Sequence, residues 1–240
     1  MIQNEISQIS RILFLKKCYL CAVKRYYRYF LVLFFLPLTS CFEIVEEMKV
    51  NRDGSGTFAL SVDLSQSKAR LDNFRKQDSV MGARVPKAPE ITRELEKVKQ
   101  TLAGVSGISN VQYTEDFITY KFSFSFSFSR ISALDQGIKV LTNKNPHLKE
   151  VISYRFEDNN LIRSFDEAKF QEGKKKIGPF IWTGIGAGKL ISLHQFEQEI
   201  QKSSSEKTKI LSSKKSSVTT YSLSGFLANQ NNSTLTITLK

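Results

Sequence analysis

Phenylalanine stands at every second position from Phe122 to Phe128, with serine between, so a strand here puts four rings on one sheet face and hydroxyls on the other. The same period recurs earlier. Phe42, Ile44, Met48 and Val50 alternate with polar neighbours, as do Phe58, Leu60, Val62 and Leu64, and the polar turn Asn51-Arg52-Asp53-Gly54-Ser55-Gly56 lies between them. Two alternating runs joined through Asp-Gly predict a β-hairpin, because that dipeptide accepts the positive φ angles of a tight turn. A calcium loop is the rival reading, but Thr57, Phe58 and Leu60 stand where its later ligands belong.

The period then lengthens. Ser65 or Ser67 can cap a helix with Leu71 and Phe74 on one face, and Pro86-Lys87-Ala88-Pro89 ends that segment. From Pro89, the residues Ile91, Leu95, Val98 and Leu102 recur at intervals of four, three and four and predict an amphipathic helix ending at Gly104 and Gly107. Strands are expected over 108–113 and 117–129, and a short third helix over 131–141. Beyond residue 150 the pattern predicts a hairpin, 151–156 and 161–165 about Glu157-Asp158-Asn159-Asn160, then strands near 189–195, 208–211, 218–223 and 235–239. Lys174-Lys175-Lys176 and the Ser/Lys-rich 202–215 read as solvated loops. The expected fold class is therefore α+β: antiparallel hairpins packed with two or three amphipathic helices, followed by a β-rich C-terminal half. The expected divisions are 1–40 as a leader, 41–145 as an α+β module, and 146–240 as a β-rich module, separate or part of the same domain.

Three environments would suit the Phe/Ser strand: a core beneath helices, the lipid face of a barrel, or an apolar groove. A barrel needs at least about eight alternating strands, which the pattern does not supply, and two amphipathic helices are available as cover. Core packing is favoured, with Phe122, Phe124, Phe126 and Phe128 kept as a candidate hydrophobic-ligand face.

Composition alters this picture mainly at the N-terminus. The chain carries 35 Lys and Arg against 23 Asp and Glu, a net charge of +12. Residues 1–40 hold six basic side chains and one acid, so the leader accounts for +5 of that excess. What remains is diffuse and gives no reason to expect nucleic acid as a partner. Behind Arg28 runs the apolar block Tyr29-Phe30-Leu31-Val32-Leu33-Phe34-Phe35-Leu36-Pro37-Leu38, the order of a secretory leader. It is about half the roughly 20 residues a membrane-spanning helix needs, and it has no polar face as a core helix would. Ile12-Leu13-Phe14-Leu15 makes the segment before it long, which is compatible with a start codon downstream of Met1.

The block ends in Leu38-Thr39-Ser40-Cys41, which resembles the lipobox of bacterial lipoproteins: an aliphatic residue, two small residues and the acceptor cysteine. By that resemblance, signal peptidase II cuts between Ser40 and Cys41, and Cys41 carries a diacylglycerol on sulfur, with palmitate-type acyl chains as the membrane attachment. Each buried methylene contributes about 0.8 kcal/mol, so several chains hold where one binds only marginally. The order of leader, lipobox, Asp-Gly-Ser-Gly hairpin, helices and aromatic strand resembles exported Bacteroidetes-type lipoproteins. Residues 41–64 also resemble the LppM-type lipoprotein domain, in which the acylated cysteine precedes a strand, a DG turn and another strand. The resemblance implies a cell-envelope location, expected at the outer membrane, and brings no catalytic residue.

Chemistry is sparse elsewhere. Cys18-Tyr19-Leu20-Cys21 lacks a second half-site and lies in the leader, so metal or redox chemistry is not expected there. His147 and His194 are the only histidines, without HExxH or a cysteine partner, and no GxSxG frames a serine. Thr183-Gly184-Ile185-Gly186-Ala187-Gly188-Lys189-Leu190 misses the phosphate-loop spacing and ends in leucine where a magnesium-binding hydroxyl belongs. It reads as a loop beside Phe180, Ile181 and Trp182. Asn231-Asn232-Ser233 is a formal sequon that a bacterial lipobox makes irrelevant. No cofactor or metal is implied. The expectation is a non-enzymatic binding, scaffolding or assembly protein held by Cys41, with an envelope protein as possible partner. The alternatives are a carrier of hydrophobic ligand, or a hydrolase gathering His147 or His194 with an acid.

Overall fold

The Asp-Gly turn forms the hairpin that its residues predict. Gly54 has a φ of +82°, and the Asp53 carboxylate accepts hydrogen bonds from the backbone N–H and hydroxyl of Ser55 at 2.9 and 2.6 Å. Strands β1 (Glu43–Val50) and β2 (Gly56–Asp63) then pair antiparallel from Glu43 opposite Asp63 to Val50 opposite Gly56. A computed structural model describes residues 42–80, 83–142, 150–176, 188–228 and 234–240. The leader, Cys41, His147, the 183–187 part of the glycine-rich stretch, the 180–182 aromatics and the 231–233 sequon lie outside the described residues.

After a single 3-10 turn at Ser65–Ser67 comes helix α1 (Lys68–Arg75), followed by a two-residue ladder, β3 (Ser79–Val80) with β4 (Ala83–Arg84). Helix α2 (Ala88–Ala103) has proline in its first turn, and Glu90 accepts the Lys87 N–H at 3.0 Å, closing the helix start. Strands β5 (Ile108–Asp116) and β6 (Lys121–Phe128) follow. The hairpin between them turns later than the residue types suggest, at 117–120 rather than 114–116. Asp116 is the reason: its carboxylate accepts the N–H groups of Ile118 and Thr119 at 2.7 and 3.0 Å, which bends the chain there. Helix α3 (Ile131–Thr142) packs against β5, β6 and β7.

Strands β7 (Ile152–Glu157) and β8 (Asn160–Phe165) meet at Asp158-Asn159, both with positive φ (49° and 61°), the signature of a type I′ hairpin turn. Glu167–Lys176 is helix α4, so the lysine run expected in a loop ends a helix. Asp166 begins it by accepting the Lys169 N–H at 3.0 Å, and cations at a helix C-terminus sit favourably against the dipole. Then come β9 (Lys189–Phe196), β10 (Ile200–Ser203), β11 (Thr208–Ile210), β12 (Ser216–Ser222), the short α5 (Leu223–Leu227) and β13 (Leu235–Leu239). Strand β11 falls where a strand near 208–211 is expected, whereas the end of β10 lies in a Ser/Lys-rich stretch that reads as loop.

Seven strands form one sheet in the order β11-β12-β9-β1-β2-β6-β5, and four form a second in the order β10-β13-β8-β7. Strand β1 pairs antiparallel with β2 on one side and parallel with β9 on the other, so one sheet runs through both halves of the sequence. The fold is α+β with a β-rich C-terminal half. Residues Ser40–Lys240 form one compact unit. Its core joins Met48, Val50, Phe58, Phe124, Phe126 and Phe128 of the large sheet to Leu134 and Ile138 of α3 and to Tyr154, Leu161 and Ile237 of the small one. Gly137 permits this approach, since a Cβ there would lie 2.9 Å from the Phe126 ring. Of the α2 stripe, Leu102 is fully buried while Leu95 and Val98 are packed against the core and partly covered.

Candidate functional site

The inward residues of β1 are Ile44, Glu46, Met48 and Val50, so alternation carries a carboxylate into the space between the sheets. On the inner face of the small sheet, β8 presents Arg163 and β7 presents Tyr154, and parallel pairing sets β9 beside β1 with His194 opposite Met48. These four side chains meet. Arg163 donates through Nη2 to Glu46 Oε2 at 3.1 Å and through Nε to Oε1 at 3.3 Å. The Tyr154 hydroxyl donates to Glu46 Oε1 and accepts from Arg163 Nε at 3.1 Å. His194 Nε2 stands 3.9 Å from Glu46 Oε1.

Burial would push the Glu46 carboxyl up, but the Arg163 guanidinium, then His194 and the Tyr154 hydroxyl, outweigh it and hold Glu46 below the usual glutamate range. Arg163 is likewise held cationic, burial being outweighed by Glu46 and Tyr154, while burial beside Glu46 raises Tyr154 well above an ordinary tyrosine. His194 goes the other way: burial dominates the attraction of Glu46, and its pKa falls to about 4. At neutral pH His194 is therefore uncharged, and its contact with Glu46 is polar rather than ionic. Both His194 ring nitrogens, Ser192 Oγ and Ser217 Oγ are buried without a hydrogen-bond partner.

In chemical terms this is an ionised carboxylate, a fixed guanidinium, a phenol and a neutral imidazole in contact, the residue types of an acid–base site. The Arg163, Glu46 and His194 side chains are 2, 5 and 0 % exposed. The cluster is closed from solvent among the described residues, and its hydrogen bonds tie β1 to β7 and β8 of the small sheet. The alternating pattern held one clue, an acid at an inward position of a strand, but neither Arg163 nor Tyr154 stands near Glu46 in sequence.

The Phe/Ser strand divides by position. Phe124, Phe126 and Phe128 are buried in the core, with Phe126 against Phe58 at 5.4 Å between ring centres. Phe122 is half-buried, edge-on to Phe117 at 5.4 Å, and lines an apolar cavity of about 300 Å³ with Leu71, Phe74, Val85, Ile91 and Tyr120. Arg75 and Arg84 also line that cavity. A second hollow of about 540 Å³ opens on the serine side of the large sheet, where Ser125, Ser127, Thr57, Leu193 and Val218 line it.

Of the candidate attachment site, Ser40 and Cys41 lie outside the described residues, but the next residue does not. Phe42 is buried and its carbonyl accepts the Lys189 N–H at 3.0 Å, so the residue that follows Cys41 in sequence is packed into the fold. Gly188 makes room for that ring: a Cβ there would sit 2.6 Å from Phe42 Cζ. Within the glycine-rich stretch, then, Gly188 serves packing, and Lys189 and Leu190 are the first residues of β9.

No protein-family model and no curated protein matches the chain. Among solved structures, it is similar to the NMR structure of the folded domain of the Mycobacterium tuberculosis LppM protein, at 8 % identity and a TM-score of 0.44, covering 82 % of this chain and 87 % of that one. A likeness at that level assigns neither family nor function.

Proposed function

We propose that this chain is a lipid-anchored envelope lipoprotein of a bacterium, acting without catalysis as a binding or assembly module at the membrane to which Cys41 attaches it, with the outer membrane as the expected location. The carrying observation is the lipobox-like sequence Leu38-Thr39-Ser40-Cys41, followed at once in the chain by buried Phe42 and by β1 from Glu43. The closed Glu46–Arg163–Tyr154–His194 cluster supports a structural use of the groups a hydrolase would need. The test is metabolic labelling with an alkyne analogue of palmitate. Label in the wild-type chain and none in Cys41→Ala is expected; equal labelling, or none in either, refutes the anchor.

A second reading is favoured by the 300 Å³ cavity at Phe122: capture of an apolar ligand of acyl-chain type. Its size is at the lower end of small-molecule sites, and Arg75 and Arg84 supply cations for an acidic head group.

A further inference from the structure

The strand register fixes which end of the molecule faces the anchor. Glu43, at the start of β1, lies opposite Asp63 and Lys189; Asp63 lies opposite Lys121, and Lys121 opposite Asp116. The β5–β6 turn, residues 117–120, is therefore at the same end of the sheet as Phe42. The Asp-Gly turn is at the other end, roughly 25 Å away along eight residues of strand.

At that near end, Ile118 is 76 % exposed, the most exposed of the large hydrophobic side chains among the described residues. A lone exposed isoleucine is ordinarily unremarkable, but this one is held out by its surroundings. Asp116 Oδ1 accepts the Ile118 N–H, Lys68 Nζ donates to the Ile118 carbonyl at 2.8 Å, and Arg75 Nη1 donates to the Phe117 carbonyl at 3.1 Å. These bonds hold the turn's backbone, and the Ile118 side chain projects to solvent beside that of Thr119. The neighbouring α1 and the residue after it carry Lys68, Arg70, Arg75 and Lys76 against a single acid, Asp72.

We propose that this end is a membrane-docking surface, in which Ile118 enters the interfacial region of an anionic phospholipid bilayer while the α1 cations lie at the head groups. The partner is the bilayer that carries the Cys41 lipid, because Cys41 precedes buried Phe42 with no linker that would let the body stand off. An inserted aliphatic side chain and adjacent cations are the two contributions by which peripheral surfaces hold anionic membranes. This inference rests on the anchored reading above.

The experiment couples the chain from Ser40 onward, in which Cys41 is the one thiol, to maleimide-bearing lipid in phosphatidylethanolamine/phosphatidylglycerol vesicles. In a Trp182→Phe background, Ile118→Trp is compared with Leu211→Trp, whose site is 38 % exposed and lies beside the far ends of β9 and β12. Brominated acyl chains are expected to quench the tryptophan at 118 at least about threefold more than at 211. Arg70→Glu with Lys76→Glu should reduce that difference. Equal quenching, greater quenching at 211, or no quenching at either site overturns the docking surface. Chemical coupling makes the outcome independent of acylation in the cell, so failure here and failure of the palmitate labelling are separate results.

Discussion

Replacing Arg163 by leucine removes one partner from a closed ion cluster and leaves the other in place. Glu46 is 4 % exposed and receives two hydrogen bonds from Arg163, at 3.1 and 3.3 Å, and one from Tyr154. In the variant only the phenol remains, beside an uncharged His194. Stranding one member of a buried pair costs about 3–5 kcal/mol, whereas replacing the whole set by apolar groups of similar volume is often neutral or stabilising. The Arg163→Leu chain from Ser40 onward should therefore lose about 3–5 kcal/mol in urea unfolding followed by circular dichroism at pH 7. The triple variant Glu46→Leu, Arg163→Met, Tyr154→Phe should recover most of it. The deficit should also depend on pH. Without Arg163, burial raises the Glu46 pKa above its unfolded value, so the protonated acid is tolerated and the penalty grows as pH rises through that pKa. Acidification from pH 7 toward pH 5 should narrow the gap between variant and wild type. A loss under about 1 kcal/mol, or a triple variant as unstable as the single, would refute a closed pair at this position.

His194 gives a second pH signature. Its folded pKa, about 4 against the usual 6.5, means that the unfolded chain takes up a proton between those values and the native one does not. Wild-type stability should fall by about 3 kcal/mol from this group as pH drops from 7 to 4; urea midpoints for His194→Leu should show a shallower fall across that window. Gly56→Ala should weaken the first hairpin severely, since its Cβ would lie 1.9 Å from the Lys49 carbonyl oxygen and 2.6 Å from the Phe128 ring. A loss of at least about 2 kcal/mol in thermal unfolding is expected. At the cavity, Phe122→Asp should abolish uptake of a fluorescent fatty acid by the folded chain while circular dichroism stays unchanged. Undiminished uptake would separate the cavity from ligand binding.

Local periodicity made most of the architecture legible. The hairpin around Asp53-Gly54, the stripe Ile91-Leu95-Val98-Leu102 and the one-sided rings of Phe124, Phe126 and Phe128 each depend on neighbours within a few residues, and each is present. What escaped is either polar or distant. Strand β10 reads Ile-Gln-Lys-Ser, with no alternation to announce it, and α4 is too rich in lysine to show an apolar stripe. The parallel pairing of β1 with β9 joins residues 146 apart, Glu43 with Lys189, and no local pattern encodes such a partner. The same holds for the ion cluster. Glu46 is visible as an acid on an inward-facing strand position, but Arg163 reaches it from 117 residues away. The surrounding low-dielectric space, which neutralises His194, exists only after both sheets have closed.

Strand direction also bears on the proposed anchor. On the proposed anchored reading, attachment next to β1 would bring the open end of the first hairpin to the membrane and send its Asp-Gly turn outward, with the β5–β6 turn, α1 and the Phe122 cavity at the same end. A ligand leaving or entering the bilayer would meet that cavity without crossing the length of the sheet.

The anchored reading depends on Cys41, and the mass of the mature N-terminal peptide tests it most directly. The chain is expressed in its full-length form in a bacterial host, extracted in detergent and digested before mass spectrometry. The account predicts an N-terminus at Cys41 carrying diacylglycerol, with or without a further acyl chain, and uncleaved precursor from Cys41→Ala. A wild-type peptide that begins elsewhere, or one that begins at Cys41 without acyl mass, would contradict it.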